Sequence, residues 1–327
     1  MMNKSLPALC AKTAFFAGSF FLLLWPLART VHQYEIQYEP REALFHDGSI
    51  GRYPFVLMGS SVFCSVHVDD DRETIWNKFG SFTGQKCFPG ALSGARDGDF
   101  LGMARYIADN ARKDATVFID ITPVYLATYG KAKYRADSYP DEIGDLLAEK
   151  SVPGQRLYNY MNLDYLDHVR RLLRRDKKTG ESQFHDRSYN IVWNGKSDFA
   201  RNRYELLLPD ITGPSVENMD VFQKIHAIFR AKNINAVYVL TPLNKKVLYA
   251  FSPKKEADFL RVKLDRLHDR AKLFLDRRKI PYIDLFCAVP DSGFADLVHT
   301  NASGDEVIAR ALAEYASNGP KSGKKIQ

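Results

Sequence analysis

The chain has 327 residues, 45% of them hydrophobic and 13% aromatic, which excludes a disordered or collagen-like polypeptide, and its four cysteines are too few for a disulfide-scaffold miniprotein. The formal charge of +7 suggests a nucleic-acid surface, but residues 1–30 carry +3 and residues 318–327 another +3. Because only +1 then remains for residues 31–317, we expect no nucleic-acid partner.

Residues 13–28 form an apolar segment without a charged side chain. As a helix rising about 1.5 Å per residue it spans roughly 24 Å, close to the ~30 Å hydrocarbon core of a bilayer. A cleavable signal peptide is the alternative, but a cut after Ala28 would place Pro26 at the −3 position, where a small residue is required. We therefore predict an uncleaved transmembrane anchor within residues 1–30.

The charges beside this segment predict its orientation. Lys4 and Lys12 precede it, and positively charged flanks of a single-pass helix stay in the cytoplasm. We expect the N-terminus inside and the rest of the chain on the periplasmic or extracellular side of a bacterial cytoplasmic membrane. Since that side is oxidising, a disulfide between Cys64 and Cys87 is the first candidate. Alternatively, these cysteines and Cys287 are small buried hydrophobic residues.

Short apolar segments alternate with helical patterns along the rest of the chain. The apolar segments lie at 54–58, 116–120, 236–240 and 282–286. They are apolar without a two-residue alternation, which is typical of buried parallel strands. Helical patterns cover 99–112, 216–232, 254–279 and 303–317. This order predicts an α/β fold, with a parallel sheet sandwiched by helices.

Residues 125–215 interrupt this alternation and are rich in Tyr, Asp and Arg. We interpret them as a helical insertion in one domain over residues 31–317, because they contain no strand set of their own. The last helix is expected to open with a capping box formed by Ser303 and Glu306. Residues 318–327 after it are expected to be a disordered tail.

Functional residues of an open parallel sheet lie at the carboxyl ends of its strands. The first predicted strand is followed by Gly59, Ser60 and Ser61, a sequence that permits a tight turn presenting a hydroxyl group. A serine there could act as a nucleophile, or simply cap the following helix.

Asp296 and His299 follow the last predicted strand. Three residues apart, the carboxylate can fix the imidazole tautomer and support its protonated form, which makes histidine a competent base. The alternative is a surface Asp–His pair. The chain order Ser, Asp, His is one that catalytic triads adopt.

Residues 88–96 form a third candidate loop. Gly94 could offer its backbone N–H to a developing oxyanion, although a plain turn is the alternative. Ser93 is a rival nucleophile without an Asp–His pair to select it. No spacing of His, Cys and Asp is typical of a metal site, and we expect no metal and no cofactor.

These blocks together resemble the SGNH (GDSL-type) hydrolase superfamily. The matching residues are Gly59-Ser60-Ser61, Ser93-Gly94-Ala95 and the pair Asp296 and His299. The resemblance implies Ser61 as nucleophile, His299 as base and Asp296 as its partner. It also implies an oxyanion hole formed by the backbone of Ser61 and Gly94. The third family block, Gly-x-Asn-Asp, is absent, and the corresponding strand end reads Asp120-Ile121-Thr122.

Where the chain departs from the general pattern, its motifs are similar to those of the DltD branch of the superfamily. That branch has Gly-Ser-Ser first, a Ser/Thr-Pro later (here Thr122-Pro123) and then Pro-x-Asn (here Pro242 to Asn244). Thr122, Asn244 and Lys245 would line the substrate cleft. The resemblance implies a DltB-like membrane-bound O-acyltransferase and an acyl carrier protein as partners.

The sequence thus predicts a membrane-anchored enzyme that transfers an acyl group, D-alanyl or else acetyl, to a cell-envelope polymer. Two alternatives stay open. The same residues would serve an extracytoplasmic esterase or thioesterase that uses water as acceptor. The chain could also be a non-catalytic anchored scaffold or polymer-binding protein.

Overall fold

The computed structural model describes residues 49–68, 70–91, 95, 97–126, 200–202, 204–205, 207 and 219–318, all within one compact unit. The predicted anchor over residues 1–30, nearly all of the insertion at 125–215, and the tail after residue 318 lie outside them. Among the described helices, none combines the length and the apolar character that crossing a bilayer requires.

The described chain has an α/β fold built on five parallel strands, which confirms the predicted fold class. The strands are β1 (Phe55–Met58), β2 (Cys87–Pro89), β3 (Thr116–Ile121), β4 (Asn235–Leu240) and β5 (Tyr282–Asp284), in the order β2-β1-β3-β4-β5. The pattern of apolar segments identified all of them except β2. That strand has only three residues and ends in Pro89, which a sheet accepts at its edge, where β2 lies.

Helices cover both faces of the sheet. They are α1 (Ile75–Thr83), α2 (Asp97–Asn110), α3 (Pro123–Leu126), α4 (Asp220–Ala231), α5 (Lys246–Phe251), α6 (Lys254–Arg277) and α7 (Ala302–Asn318). On one face α1 packs against α7, and on the other α2 packs against α4.

Alternate residues of the strands point to opposite faces, as the strand period of two requires. Leu57, Phe118 and Val237 belong to the buried cluster shared with α1 and α7. On the opposite face, the Tyr238 ring contacts Phe222 of α4, and its hydroxyl donates a hydrogen bond of 2.8 Å to the Phe222 carbonyl. Because both faces are covered, the strands consist mostly of apolar residues.

The start of α7 differs from the prediction. Asn301, and not Ser303, caps this helix, because its Oδ1 accepts hydrogen bonds from the backbone N–H of Ser303 and of Gly304. Glu306 does not close a capping box. Its carboxylate instead accepts a hydrogen bond from Lys78 on α1.

The candidate disulfide between Cys64 and Cys87 is absent, because both thiols are free. Both side chains are buried in the core cluster, and Cys87 is the first residue of β2. The alternative, small buried hydrophobic residues, describes these two cysteines, whereas Cys287 is exposed. Burial also raises the pKa of the Cys87 thiol, which keeps it protonated and unreactive.

We expect Gly304→Ala to destabilise the protein, although alanine is the better helix former. A Cβ at Gly304 would lie 2.2 Å from the Gly293 carbonyl oxygen and 2.8 Å from the Thr300 Cβ. Overpacking typically costs about 1–3 kcal/mol, enough to exceed the ~1 kcal/mol gain in helix propensity. Urea unfolding followed by circular dichroism measures the difference. Gly80→Ala in α1 is the matched control, because its Cβ would meet nothing closer than 3.5 Å and should preserve or raise stability.

Candidate active site

The turn after β1 presents two serines at the carboxyl end of the sheet. Continuing the β1–β3 register by one residue places Gly59 opposite Asp120. A Cβ on Gly59 would lie 2.5 Å from the Cγ and the Oδ2 of Asp120, so the turn requires glycine here. The turn is closed by two backbone hydrogen bonds of 3.2 Å. The N–H of Phe63 donates to the Ser60 carbonyl, and the N–H of Cys64 donates to the Ser61 carbonyl.

The two serines have different partners. Ser60 donates two hydrogen bonds to Oδ2 of Asp120, one from its N–H at 2.7 Å and one from its hydroxyl at 2.8 Å. Ser61 instead places its Oγ 2.8 Å from Nε2 of His299. The hydroxyl of Ser61 is therefore the one that a histidine base can deprotonate.

His299 is held by a small loop folded around the Asp296 carboxylate. A β-bridge between Phe294 and Thr300 closes this loop. Inside it, Oδ1 of Asp296 accepts hydrogen bonds of 2.8 Å from the backbone N–H of Val298 and of His299. The spacing of three residues thus lets one carboxylate order both the backbone and the imidazole.

The second carboxylate oxygen defines the protonation of the imidazole. Oδ2 of Asp296 lies 2.7 Å from Nδ1 of His299, and a carboxylate can only accept. Nδ1 therefore carries the proton, and Nε2 is left to accept the Ser61 hydroxyl. Asp296 is fully buried and His299 is 7% exposed, so both bonds lie largely out of water.

The surroundings of Asp296 keep it ionised. Burial opposes the charge, but attraction to the protonated form of His299 and the hydrogen bonds from His299 and Val298 outweigh burial and lower the pKa of Asp296 to about 2. A permanently charged carboxylate beside Nδ1 favours the imidazolium that forms when Nε2 takes a proton.

Among the other predicted site residues, Gly94 and Ser93 lie outside the described residues. Thr122 is buried, and its hydroxyl accepts a hydrogen bond of 2.9 Å from Thr241. Lys245 places its Nζ 2.7 Å from Asp265, so this ammonium is paired with α6.

Asn244 lies directly beside the loop that carries His299. Its backbone N–H donates to the Leu297 carbonyl at 2.9 Å. Its side-chain oxygen accepts a bond from the backbone of Lys246. The side-chain nitrogen is buried without a hydrogen-bond partner among the described residues, which leaves an amide donor near the site.

Sequence reasoning missed two buried residues at the site. The sequence does contain an indication of Asp120, because it is the one carboxylate in an otherwise largely apolar strand. A buried carboxylate needs a hydrogen-bond partner. His67 is the other, with its ring packed edge-to-face on His299 at a centroid distance of 5.3 Å. No local pattern around His67 indicates that contact, because it depends on how two distant loops meet.

His67, Asp296 and His299 also form the one described group whose ligand atoms could hold a metal ion, since these atoms lie within 4.8 Å of one another. Two nitrogens and a carboxylate would suit zinc. However, both ring nitrogens of His299 already bond to Asp296 and Ser61. Metal binding and serine activation are therefore mutually exclusive uses of His299.

Asp120 predicts a distinctive pH dependence of stability. Burial raises the pKa of this carboxyl from an ordinary value of 3.8 to about 7, although the two hydrogen bonds from Ser60 act to lower that pKa. The folded state therefore binds the proton more tightly than the unfolded state, and stability falls as pH rises from about 4 to 7. At about 1.4 kcal/mol per pKa unit the loss is about 4 kcal/mol.

Asp120→Asn cannot ionise and should remove this part of the pH dependence. We expect the unfolding free energies of wild type and variant to diverge from pH 4 to pH 7 in favour of the variant, and then to run parallel. A constant offset is expected from the buried amide of asparagine, so the change with pH is diagnostic. A difference that stays constant over that range would contradict the raised pKa.

No protein-family model matches the chain, and no curated protein matches it. Among solved structures, it is similar to a member of the lipolytic protein G-D-S-L family from Veillonella parvula DSM 2008, with 10% identity and a TM-score of 0.41. That alignment covers 81% of this chain and 98% of the other. A GDSL-like lipase from Bacteroides thetaiotaomicron VPI-5482 is also similar, with 12% identity, a TM-score of 0.38, and 81% and 87% coverage. The chemistry proposed below rests on the site geometry.

Proposed function

We propose that the chain is an SGNH-type serine enzyme that transfers acyl groups through an ester on Ser61. The observation that supports this most directly is the continuous set of hydrogen bonds from Ser61 through His299 to Asp296. A serine hydroxyl near its free pKa is a weak nucleophile and needs such a base. The site has this base in the correct tautomer, with its charge partner buried behind it.

The proposed reaction has two balanced halves. Ser61 Oγ attacks the acyl carbonyl carbon while Nε2 of His299 takes the hydroxyl proton. The bond to the donor's leaving group then breaks, and that group departs with the proton from His299. In the second half, an acceptor hydroxyl gives its proton to His299 and attacks the ester carbonyl carbon. The bond from that carbon to Ser61 Oγ then breaks, and His299 returns the proton to Oγ, which restores the free serine. Asp296 stabilises the imidazolium in both halves.

The tetrahedral intermediate needs donors for its oxyanion. We propose the backbone N–H groups of Ser61 and Gly94 for this role, as the family resemblance implies. Asn244 is a further candidate, because its side-chain nitrogen is a buried donor without a partner among the described residues, and its backbone bonds to the loop of His299. Thr122 and Lys245 are proposed to line the cleft around it.

We propose D-alanyl transfer, with acetyl as the alternative, to a cell-envelope polymer on the outer side of the cytoplasmic membrane. This follows from the DltD-like order of short motifs and from the apolar segment at residues 13–28. A DltB-like membrane-bound O-acyltransferase and an acyl carrier protein are the proposed partners.

A fluorophosphonate probe tests the serine chemistry. The full-length chain should be labelled on Ser61, as located by peptide mass spectrometry, and Ser61→Ala should not be labelled. Ser60→Ala is the matched control, because it removes the neighbouring hydroxyl and should retain labelling at Ser61. An unlabelled wild-type protein would favour the scaffold alternative.

A second experiment separates transfer from hydrolysis. In a strain lacking the gene, the wild-type gene should restore ester-linked acyl groups on the envelope polymer, and the Ser61→Ala gene should not. Mass spectrometry of the released acyl group identifies D-alanine or acetate. Unchanged polymer acylation in the deletion strain, together with ester hydrolysis by the pure protein, would point to an esterase.

A further inference from the structure

Asp120 is a costly residue for the middle of a sheet. It is fully buried on β3, and its Oδ1 has no hydrogen-bond partner among the described residues. A buried polar atom left unsatisfied typically costs about 1–3 kcal/mol, so an apolar residue would suit this strand better. The residue that it contacts, Ser60, is the neighbour of the proposed nucleophile.

The contact with Asp120 restrains both the backbone and the side chain of Ser60. Both hydrogen bonds from Ser60 end on the same oxygen, Oδ2 of Asp120, at 2.7 Å and 2.8 Å. The N–H bond fixes the backbone of Ser60, and the hydroxyl bond fixes its side-chain rotamer. The next peptide carries Ser61, so the orientation of the Ser61 side chain is set from one side by this carboxylate.

The space around the turn is shaped to admit the carboxylate. Gly59 lies opposite Asp120 across the β1–β3 pair, and a Cβ on Gly59 would clash with the Asp120 carboxyl group at 2.5 Å. The backbone hydrogen bonds that the carbonyls of Ser60 and Ser61 accept within the turn are longer than the Asp120 bonds, at 3.2 Å each.

We propose that Asp120 is a positioning residue, which acts through Ser60 to hold the Ser61 hydroxyl in line with His299. This rests on the proposed function of Ser61 and deepens it. The carboxylate does not touch the reacting atoms. Its effect comes from geometry, because a misplacement of about 1 Å at a reacting group can cost on the order of a hundredfold in rate.

The test compares substitutions that keep or remove the acceptor. Asp120→Ala deletes it, and we expect kcat for p-nitrophenyl acetate to fall about tenfold to a hundredfold with KM within twofold. Asp120→Asn keeps an oxygen that can accept both bonds, and should restore most of kcat. Ser60→Ala removes the hydroxyl bond and keeps the N–H bond, so it should lower kcat by a smaller factor. If Asp120→Ala does not fold, the kcat of Ser60→Ala tests the positioning role instead.

Tyr238→Phe is the control for a purely structural effect. It also removes a buried hydrogen bond from a central strand, at 2.8 Å, but on the face away from the turn. It should lower the unfolding midpoint and leave kcat unchanged. The proposal is overturned if folded Asp120→Ala or Ser60→Ala keeps wild-type kcat, or if Asp120→Asn is as slow as Asp120→Ala.

Labelling by the fluorophosphonate probe separates this proposal from the proposed function. If wild type labels on Ser61 and the folded variants Ser60→Ala and Asp120→Ala label equally fast, Ser61 is the nucleophile and the positioning role of Asp120 is contradicted. Wild type that does not label at all would remove the nucleophile, and with it the role of Asp120. Slower labelling of both variants, with Tyr238→Phe unaffected, is the expected result.

Discussion

Ser61→Ala should lose nearly all activity toward p-nitrophenyl acetate, with kcat lower by on the order of 10⁴-fold or more and KM little changed. The nucleophile is needed only as the ester forms, so its loss removes transition-state stabilisation and leaves binding intact. The remaining rate should come from the oxyanion donors and from binding alone. Steady-state kinetics on the full-length chain measures both constants.

Non-additivity makes this expectation specific to a triad. His299→Ala should be about as slow as Ser61→Ala, and the double variant no slower than either, because the residues act as one unit. Independent contributions would instead multiply. Multiplying effects, or a Ser61→Ala protein with more than about a tenth of the wild-type rate, would remove Ser61 from the mechanism proposed here.

Asp296→Asn should lower kcat by about 10⁴-fold. An amide oxygen in the Oδ1 position can still accept the two backbone bonds that order the loop. The amide nitrogen would then face Nδ1 of His299 and force it to accept. The proton would move to Nε2, which could no longer take the proton of Ser61.

Asp284→Asn provides a matched control for that substitution. Asp284 also bonds to a histidine, at 2.9 Å from Nε2 of His268, but it lies on β5, three strands along the sheet from the strand that precedes Ser61. We expect its substitution to change stability and to leave kcat unchanged. Equal kinetic effects of the two substitutions would show that Asp296 acts through folding and not through the tautomer of His299.

The parts of the fold that follow from local pattern were predictable. Strands covered on both faces are mostly apolar, so β1, β3, β4 and β5 are visible in the sequence as apolar segments. The short edge strand β2 carries no such pattern and forms because β1 pairs with it. The cap of α7 is Asn301 and not Ser303, because the folded loop lets Asn301 donate to the Ser292 carbonyl and accept from the Ser303 N–H, which residue types alone do not indicate.

The candidate site followed from residue types and from one rule of topology. Ser61 and His299 are 238 positions apart, but both follow parallel strands, and the carboxyl ends of such strands share one edge of the sheet. The disulfide could not be decided from the sequence. Compartment and cysteine count indicate that a bond can form, whereas only the packing of the core shows where Cys64 and Cys87 lie.

The sequence by itself determined the α/β class, four of the five strands, and the two loops that carry Ser61 and the Asp296–His299 pair. These features depend on residues close together in the chain. Only the tertiary structure decided that Ser60 bonds to Asp120 while Ser61 bonds to His299. Such partners depend on strand register and loop packing, where a shift of one residue changes every contact and the local sequence stays the same.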